Sequence, residues 1–421
     1  MIHSPARCTS SKLLSVFSLA VLAGLSFGQS IELPEAISRG LSASPSIKAA
    51  QERVAAAQAG VRRARSGFNP EVELAPGVGF TNGNNLLSQR FDIGGVRGVQ
   101  TAVAQAELDG ALADLQAERQ SRASEISSAY YNLVRGRVEA AAVTASAELT
   151  SRLLDLVKKR VVIGEEAELQ VTRAEIEALR VQQEVIRAQG NIETRLTVLR
   201  SLLADDGLTA GSVASEMPAL PAVPPLGELT AQALTNRSEV AHARSLVAAA
   251  RADMGLARAN RKPTLHAGLA ADIWSLDRRS FQPQNFGVQA FLSFPLLDRG
   301  SLRADDQRYQ ALVRAAEADL SATEFRVQLE VARALGDLTA RRAVAENYRT
   351  DILPTADRLL KMSTAGYEAG LTTLIDVLDA QRTARLIQSE YLTALYEAAL
   401  AELELRRVTT TLAPSLPEES K

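Results

Sequence analysis

Two periodicities divide this chain. Over 71–80, Val72, Leu74, Val78 and Phe80 alternate with Glu71, Glu73, Gly77 and Gly79, and over 264–274, Leu265, Ala267, Leu269, Ala271 and Ile273 alternate with Thr264, His266, Gly268, Ala270 and Asp272. A period of two predicts strands. Each run is followed by a polar loop and a second alternation: Leu87, Gln89, Phe91 and Ile93 in the first case, and Phe286, Val288, Ala290, Leu292 and Phe294 in the second. Two hairpins are therefore predicted, with strands at about 71–80 and 86–93 and at about 264–274 and 286–294. The remaining texture is helical. No proline falls between Pro76 and Pro218, and the stretch is rich in Ala, Leu, Glu, Gln and Arg, all good helix formers. Long helices are predicted at about 96–163 and 168–203, and again at about 302–369 and 371–411. The first would run on the order of 100 Å at 1.5 Å per residue. Pro354 interrupts the third, where it removes a hydrogen bond and introduces a kink. Leu392, Leu395, Ala399 and Leu403 step by three and four, a packing seam rather than a chemical site.

The same order of elements occurs twice because the sequence itself does. The block from Val54 to Pro70 returns from Val247 to Pro263, a displacement of 193 positions. Gly94 with Gly300, Gly164 with Gly370, and Val171 and Ala174 with Val377 and Ala380 pair at 206. The difference of 13 places an insertion between Pro263 and Gly300, in the hairpin loop around 275–285 where length is cheap. The chain divides into a first repeat over 29–216, a connector over 217–226 stiffened by Pro218, Pro221, Pro224 and Pro225, a second repeat over 227–412, and a tail over 413–421.

Composition narrows the class. A 46% hydrophobic share with 23% charge is globular, yet aromatics are only 4%, which suits long helices packed through alanine better than one compact core. At the N-terminus Arg7 and Lys12 precede an apolar run over 13–27, with small residues at Ser26 and Gly28. This is the pattern of a secretory signal peptide over 1–28, shorter than the roughly 20 apolar residues a spanning helix needs. Cys8, the only cysteine, would leave with it, as would Arg7 and Lys12, taking 47 basic residues to 45 against 49 acidic ones and the net charge from −2 to −4. That balance gives no reason to expect nucleic acid. His242 and His266 would be the remaining histidines, with no cysteine, glycine-rich phosphate loop or metal-ligand spacing, so neither an enzyme nor a cofactor is expected.

The hairpins allow two readings: they cap a helical bundle, or they sit in a membrane. In lipid only closed barrels satisfy strand backbones, and single-chain bacterial barrels have at least about eight strands. This chain offers four, so a membrane site requires several chains to share one barrel, with their helices continuing beneath it as a shared tube.

The signal peptide, the two repeats of helix, hairpin, long helix and return helix, and the segment from Tyr367 to Thr383 with its Asp376-Val-Leu-Asp379-Ala-Gln381 motif closely resemble the TolC-like outer membrane efflux protein family. Ser88 to Arg97 is similar to the strand-to-helix junction of its cation-efflux branch. The resemblance covers about 31–412. It implies a mainly α fold with a small β part: long antiparallel coiled-coil helices forming an α-barrel, plus four transmembrane strands contributed to a 12-stranded barrel shared by a homotrimer in outer membrane lipid. It implies a passive conduit from periplasm to exterior, serving tripartite efflux or type I secretion. The partners would be a periplasmic adaptor and an inner-membrane pump of RND or ABC type.

The resemblance also supplies site residues. Asp376 and Asp379 match the acidic lining of the family's periplasmic aperture, and their i, i+3 spacing shares one helix face. Three copies would make two acidic rings, which favour cations. Alternatively Asp376 caps the return helix, where negative charge suits the dipole. Tyr367 matches an aperture-closing tyrosine, but the family's basic partner is Thr372 here and its acidic partner is Gln170, leaving closure to hydrogen bonds or to residues such as Arg173. The turns at Gly164, Glu165 and Glu166 and at Gly370, Leu371 and Thr372 would be the tips that meet the adaptor. A soluble periplasmic coiled-coil adaptor is the competing reading. Fractionation separates the two: the channel is expected with the membranes and extractable only by detergent, and recovery in the soluble periplasmic fraction contradicts it.

Overall fold

The computed structural model describes residues 31–74, 85–217, 222–271, 286–293, 300–410 and 412. The first repeat comprises α1 (Leu33–Ala43), α2 (Pro45–Arg65), β1 (Glu71–Leu74), β2 (Asn85–Phe91), α3 (Val96–Val162) and α4 (Glu168–Leu203). The second comprises α5 (Leu226–Asn236), α6 (Ser238–Ala259), β3 (Thr264–Ala271), β4 (Phe286–Ser293), α7 (Ser301–Asn347), a π-helical turn (Tyr348–Ile352), α8 (Leu353–Glu368) and α9 (Leu374–Val408). The bounds of α1 and α5 differ by 193 at both ends, so the duplication read from sequence is a duplication of structure.

The predicted elements form with identifiable edges. Asp92 and Ile93, expected in the second strand, leave it. The two Asp92 carboxylate oxygens accept from the Val96 and Arg97 amides at 2.8 Å each, satisfying donors that the start of α3 would otherwise leave unpaired. These bonds hold Asp92 below the usual carboxylate range even though partial burial, the largest single influence, acts upward. The predicted strand segments 75–80, 272–274 and 294, the loop over 275–285, the signal peptide, and the tail over 413–421 lie outside the described residues. The return helix expected from 371 starts at Leu374, because Thr373 caps it.

Two expectations change. Gly94 is not the partner of Gly300: the residue with left-handed backbone that precedes α3 is Gly95 (φ 74°), and its counterpart before α7 is Gly300 (φ 93°). The displacement there is 205, not 206. The single kinked helix over 302–369 is two helices joined by the π turn, with Pro354 at the second position of α8 rather than inside a helix.

The four strands form one antiparallel sheet in the order β1-β2-β3-β4, so the β2–β3 ladder joins the repeats. Its register aligns the alternation across strands. Val72 pairs with Leu87, Leu87 with Leu269, and Leu269 with Val288; Phe91, Leu265 and Leu292 form another row. This face is exposed, with Val288 at 82% and Val72 at 66%, and it is apolar apart from Gln89 in the row it shares with Ala267 and Ala290. The opposite face carries Ser88, Gly268 and Gln289 in one row and Arg90, His266 and Phe291 in the next, with the His266 ring stacked on Phe291 at 4.8 Å.

The core is distributed along the helices. Ile37, Leu41, Ile126, Leu133, Val134, Leu196 and Leu199 of the first repeat pack together with Leu403 of α9, and Leu229, Val240, Val327, Val331, Leu338 and Leu405 pack together in the second. Of the stripe predicted on α9, Leu392, Ala399 and Leu403 are buried and Leu395 is half-buried, and Ala394, Ala398, Ala401 and Leu405 are buried as well. α9 packs on both sides, against α3 and against α7 and α8, and alanine permits that close approach. No helix among the described residues is long and apolar enough to cross a membrane.

Long helices reverse at two glycines. Gly164 (φ 81°) and Gly370 (φ 75°) lie in the left-handed region, and in each turn the next amide reaches back five residues: Glu165 N–H to Arg160 O at 2.9 Å, and Leu371 N–H to Gly366 O at 2.7 Å. This is the Schellman closure of a helix C-terminus. A Cβ at either glycine meets nothing within 4 Å. Gly164→Ala and Gly370→Ala should therefore cost only backbone strain, about 1–2 kcal/mol each. Hydrogen exchange at the turn amides should rise about tenfold in each variant and stay unchanged in a Gly227→Ala control; unchanged turn exchange would contradict the account.

Candidate functional site at the helix tips

The two reversals lie at the same end of the molecule, where the hairpin of α3 and α4 packs against that of α8 and α9. Leu153 and Val157 of α3, Ala174 of α4, Tyr367 of α8, and Leu374, Val377 and Leu378 of α9 form a separate buried cluster. Tyr367 is fully buried within it. The Arg160 guanidinium lies over its ring at 4.6 Å, and Arg160 Nη2 donates to Glu368 O at 3.1 Å. Burial pushes the Tyr367 phenol above its ordinary range, and the charge of Glu166 adds to the effect. The basic residue that meets this tyrosine therefore comes from α3 of the first repeat.

Thr372 is turned to another task. Its hydroxyl donates to Ser363 O at 3.0 Å, and its amide donates to Gly366 O at 3.3 Å. It seals the end of α8 and brings no charge to the site. Gln170 and Arg173 remain local as well: Arg173 Nη1 donates to Gln170 Oε1 at 3.4 Å within α4.

Asp376 caps α9. Its Oδ2 accepts from the Thr373 amide at 2.8 Å and from the Thr373 hydroxyl at 2.7 Å, and the Asp376 amide donates to Thr373 Oγ1 at 3.4 Å. This reciprocal capping box holds its pKa below the usual carboxylate value, chiefly through the Thr373 hydroxyl. Of the two readings left open by the sequence, the capping contact is present. Asp379 follows one turn on, and both residues are exposed.

The strongest contact between the hairpins was not anticipated. Glu177 of α4 is 1% exposed. Its Oε2 accepts from Arg382 Nη2 at 2.6 Å and Nε at 3.1 Å, and its Oε1 accepts from Arg385 Nη2 at 2.6 Å, both donors on α9. Burial alone would raise the carboxyl's pKa, but the hydrogen bonds and charges of Arg382 and Arg385 outweigh it and hold the value below the ordinary glutamate range. Nearby, Thr150 of α3 meets Gln381 of α9 at 3.5 Å, both side chains buried. The signal in the sequence was faint but physical. Ala174, Glu177, Val181 and Val185 form one stripe at steps of three and four, and a carboxylate within a buried stripe requires a partner. Arg382 and Arg385, also three apart, supply it.

Among the described residues, no group of three or more His, Cys, Asp or Glu side chains is placed to hold a metal ion. The site is a seam between two coiled coils, closed by burial and by ion pairs that cross from one repeat to the other.

Comparison with known proteins agrees with this geometry. The family described as Outer membrane efflux protein matches residues 36–205 and 229–411, one segment in each repeat. The cobalt-zinc-cadmium resistance protein CzcC of Cupriavidus metallidurans is 23% identical over 384 residues, covering 90% of each chain. The outer membrane protein TolC of Vibrio cholerae is 23% identical, covering 95% of this chain and 96% of its own. Among solved structures, CusC superimposes with a TM-score of 0.72 at 18% identity over 98% of this chain and 99% of its own, and VceC of Vibrio cholerae with 0.70 at 24% identity over 90% and 95%. A duplicated helical hairpin, a shared four-stranded sheet and a family match across both repeats have one consequence: this chain belongs to the outer membrane efflux protein family, whose members are channels of the outer membrane and not enzymes.

Proposed function

We propose that three copies of this chain close a twelve-stranded barrel in the outer membrane and continue as a helical tunnel that is gated at the tips described above. The observation that carries the proposal is the sheet. One face is apolar and exposed, and β1 and β4 are edges with no partner strand among the described residues. Edges of this kind seek another chain, and lipid forbids leaving them open. The helices offer a matching seam. At the tips the two hairpins pack face to face, α4 meeting α9 through Glu177 and α3 meeting α8 through Arg160, which leaves the faces of α4 and α8 turned away from that seam. Ile176, Leu179 and Ile186 on α4 and Leu359 and Met362 on α8 are exposed there, an arrangement suited to packing one copy against the next.

In this reading Asp376 and Asp379 form acidic rings that favour cations, with Asp376 also holding the start of α9. Tyr367 under Arg160 and the Glu177 cluster keep the two hairpins together, replacing the charge contact that Thr372 and Gln170 do not make. The turns at 164–166 and 370–372, with Ile163 and Leu371 exposed, meet a periplasmic adaptor coupled to an inner-membrane pump. CzcC, by its name, serves resistance to cobalt, zinc and cadmium, and an acidic aperture suits cargo of that sign.

The purified protein should form discrete channels in planar bilayers, and an absence of conductance overturns the conduit. Leu269→Arg, on the apolar face, should impair membrane assembly by about 2–4 kcal/mol, whereas Gln289→Arg on the opposite face should assemble normally. Equal behaviour contradicts the assignment of faces. Glu177→Gln leaves Arg385 poorly paired and should weaken the closed state by about 2–3 kcal/mol, somewhat under the cost of breaking a fully buried pair because Arg382 is half exposed. Open probability should rise. The pH dependence has a definite sign. The folded-state pKa is depressed, so the contribution is complete above the ordinary glutamate value and is lost as pH falls through the lower folded value. Acid should open the wild-type channel, and Glu177→Gln should reduce that response. Glu165→Lys with Glu166→Lys should weaken crosslinking to the adaptor, and unchanged crosslinking and export would remove those residues from the contact.

A further inference from the structure

The two repeats differ by one residue in their long arms, and the difference has a location. From Gly95 to Gly164 is 69 positions, whereas from Gly300 to Gly370 is 70; all four glycines have left-handed backbone and bound the same segment in each copy. In the first copy the segment is a single helix, α3, unbroken from Val96 to Val162. In the second it is interrupted by the π turn over Tyr348–Ile352, where the Leu353 amide donates to Tyr348 O, five residues back. A π turn is how a helix absorbs one additional residue without losing its course.

We infer that this turn is the extra residue of the second repeat and that it serves as the pivot on which the α8–α9 arm moves relative to α3 and α4. The inference rests on the gated-conduit reading and adds only where the joint lies. Two observations support a pivot. First, Pro354 has no amide to give to Thr350 O, so the ladder is thinned immediately after the turn. Second, the buried cluster at the turn is small: Tyr348 packs against Ala345, Ala394 and Ala398, and its hydroxyl donates to Glu390 at 3.2 Å on the surface.

The extra residue also sets the rotation of the arm. One residue corresponds to about 100° about a helix axis, so α8 shows a different face to its neighbours than a continuation of α7 would. That rotation brings Tyr367 into the buried cluster beneath Arg160. The matching part of α3, about residues 142–147, is unbroken helix, so the first-repeat arm has no such joint. The duplication thus gives a rigid arm and a jointed one.

The test begins with the wild-type full-length protein in detergent. Hydrogen exchange at backbone amides over 348–356 should be at least about tenfold faster than over 142–150; equal protection overturns the pivot. A second test uses the full-length chain with Cys8→Ser, which leaves no native cysteine. Arg160→Cys with Glu368→Cys, bridged by a bismaleimide long enough to replace the arginine side chain, reports on the seating of α8, and Thr150→Cys with Gln381→Cys, bridged likewise, reports on α9. Deleting Asp351 together with Pro354→Ala should reduce bridging of the first pair at least about fivefold and leave the second pair intact, while Pro354→Ala alone should spare both. An undiminished first pair in the deletion variant, or its loss with Pro354→Ala alone, contradicts the assignment of the extra residue. If the deletion variant does not assemble, the exchange comparison decides. A wild type that conducts but exchanges evenly in both arms removes the pivot alone, whereas a wild type that does not conduct removes the conduit.

Discussion

A strand in lipid must have every backbone amide and carbonyl paired, and four strands cannot arrange that among themselves. The other features of this protein accommodate that constraint. The register keeps Leu87, Leu269 and Val288 in one row, so the face suited to lipid is continuous across both repeats. The β2–β3 ladder joins the halves into one sheet with β1 and β4 at its edges. In the proposed trimer those edges pair with other copies, and the helices inherit the geometry, since chains side by side at the sheet would be side by side along their full length.

Duplication builds such a tube economically, and the departures from it are informative. At the turns the copies agree in detail, with Gly164 and Gly370 making the same closure. At the tips they differ in chemistry: Glu177 in the first copy faces Arg382 and Arg385 in the second, so the contact lies between unlike halves. A buried carboxylate held by two guanidiniums is strongly dependent on geometry. Either partner moving away leaves charge without compensation, which suits a seam that is firmly closed or open and is poorly populated between. The π turn is the matching departure in backbone, one residue that gives the second arm a joint the first does not have.

Much of the fold was legible from the residues. Alternation gave both hairpins and their faces, because a period of two is hard to mistake when one face must be apolar. Helix ends were legible where glycine marked them, at Gly164 and Gly370, whereas the start of α9 lay three residues beyond expectation because the cap at Thr373 went unread. The Gly94 correspondence failed because adjacent glycines, Gly94 and Gly95, look equivalent in sequence, and only the left-handed φ of Gly95 separates them. That error concealed the extra residue, since a π turn has no compositional signature apart from Pro354 beside it. At the tips, the capping role of Asp376 was one of two sequence readings, offered because negative charge suits the start of a helix; its partner Thr373 emerged only from the structure. The partnership of Glu177 with Arg382 and Arg385 was not, because it joins residues 205 and 208 positions apart, and only packing brings them together.

The central claim is that the sheet is completed between chains. Native mass measurement of the detergent-extracted protein tests it most directly: the account predicts a particle of three chains that persists on dilution, with monomer appearing only on denaturation. A stable, folded monomer in detergent, or a dimer, would contradict it, because neither supplies the strands needed to close twelve.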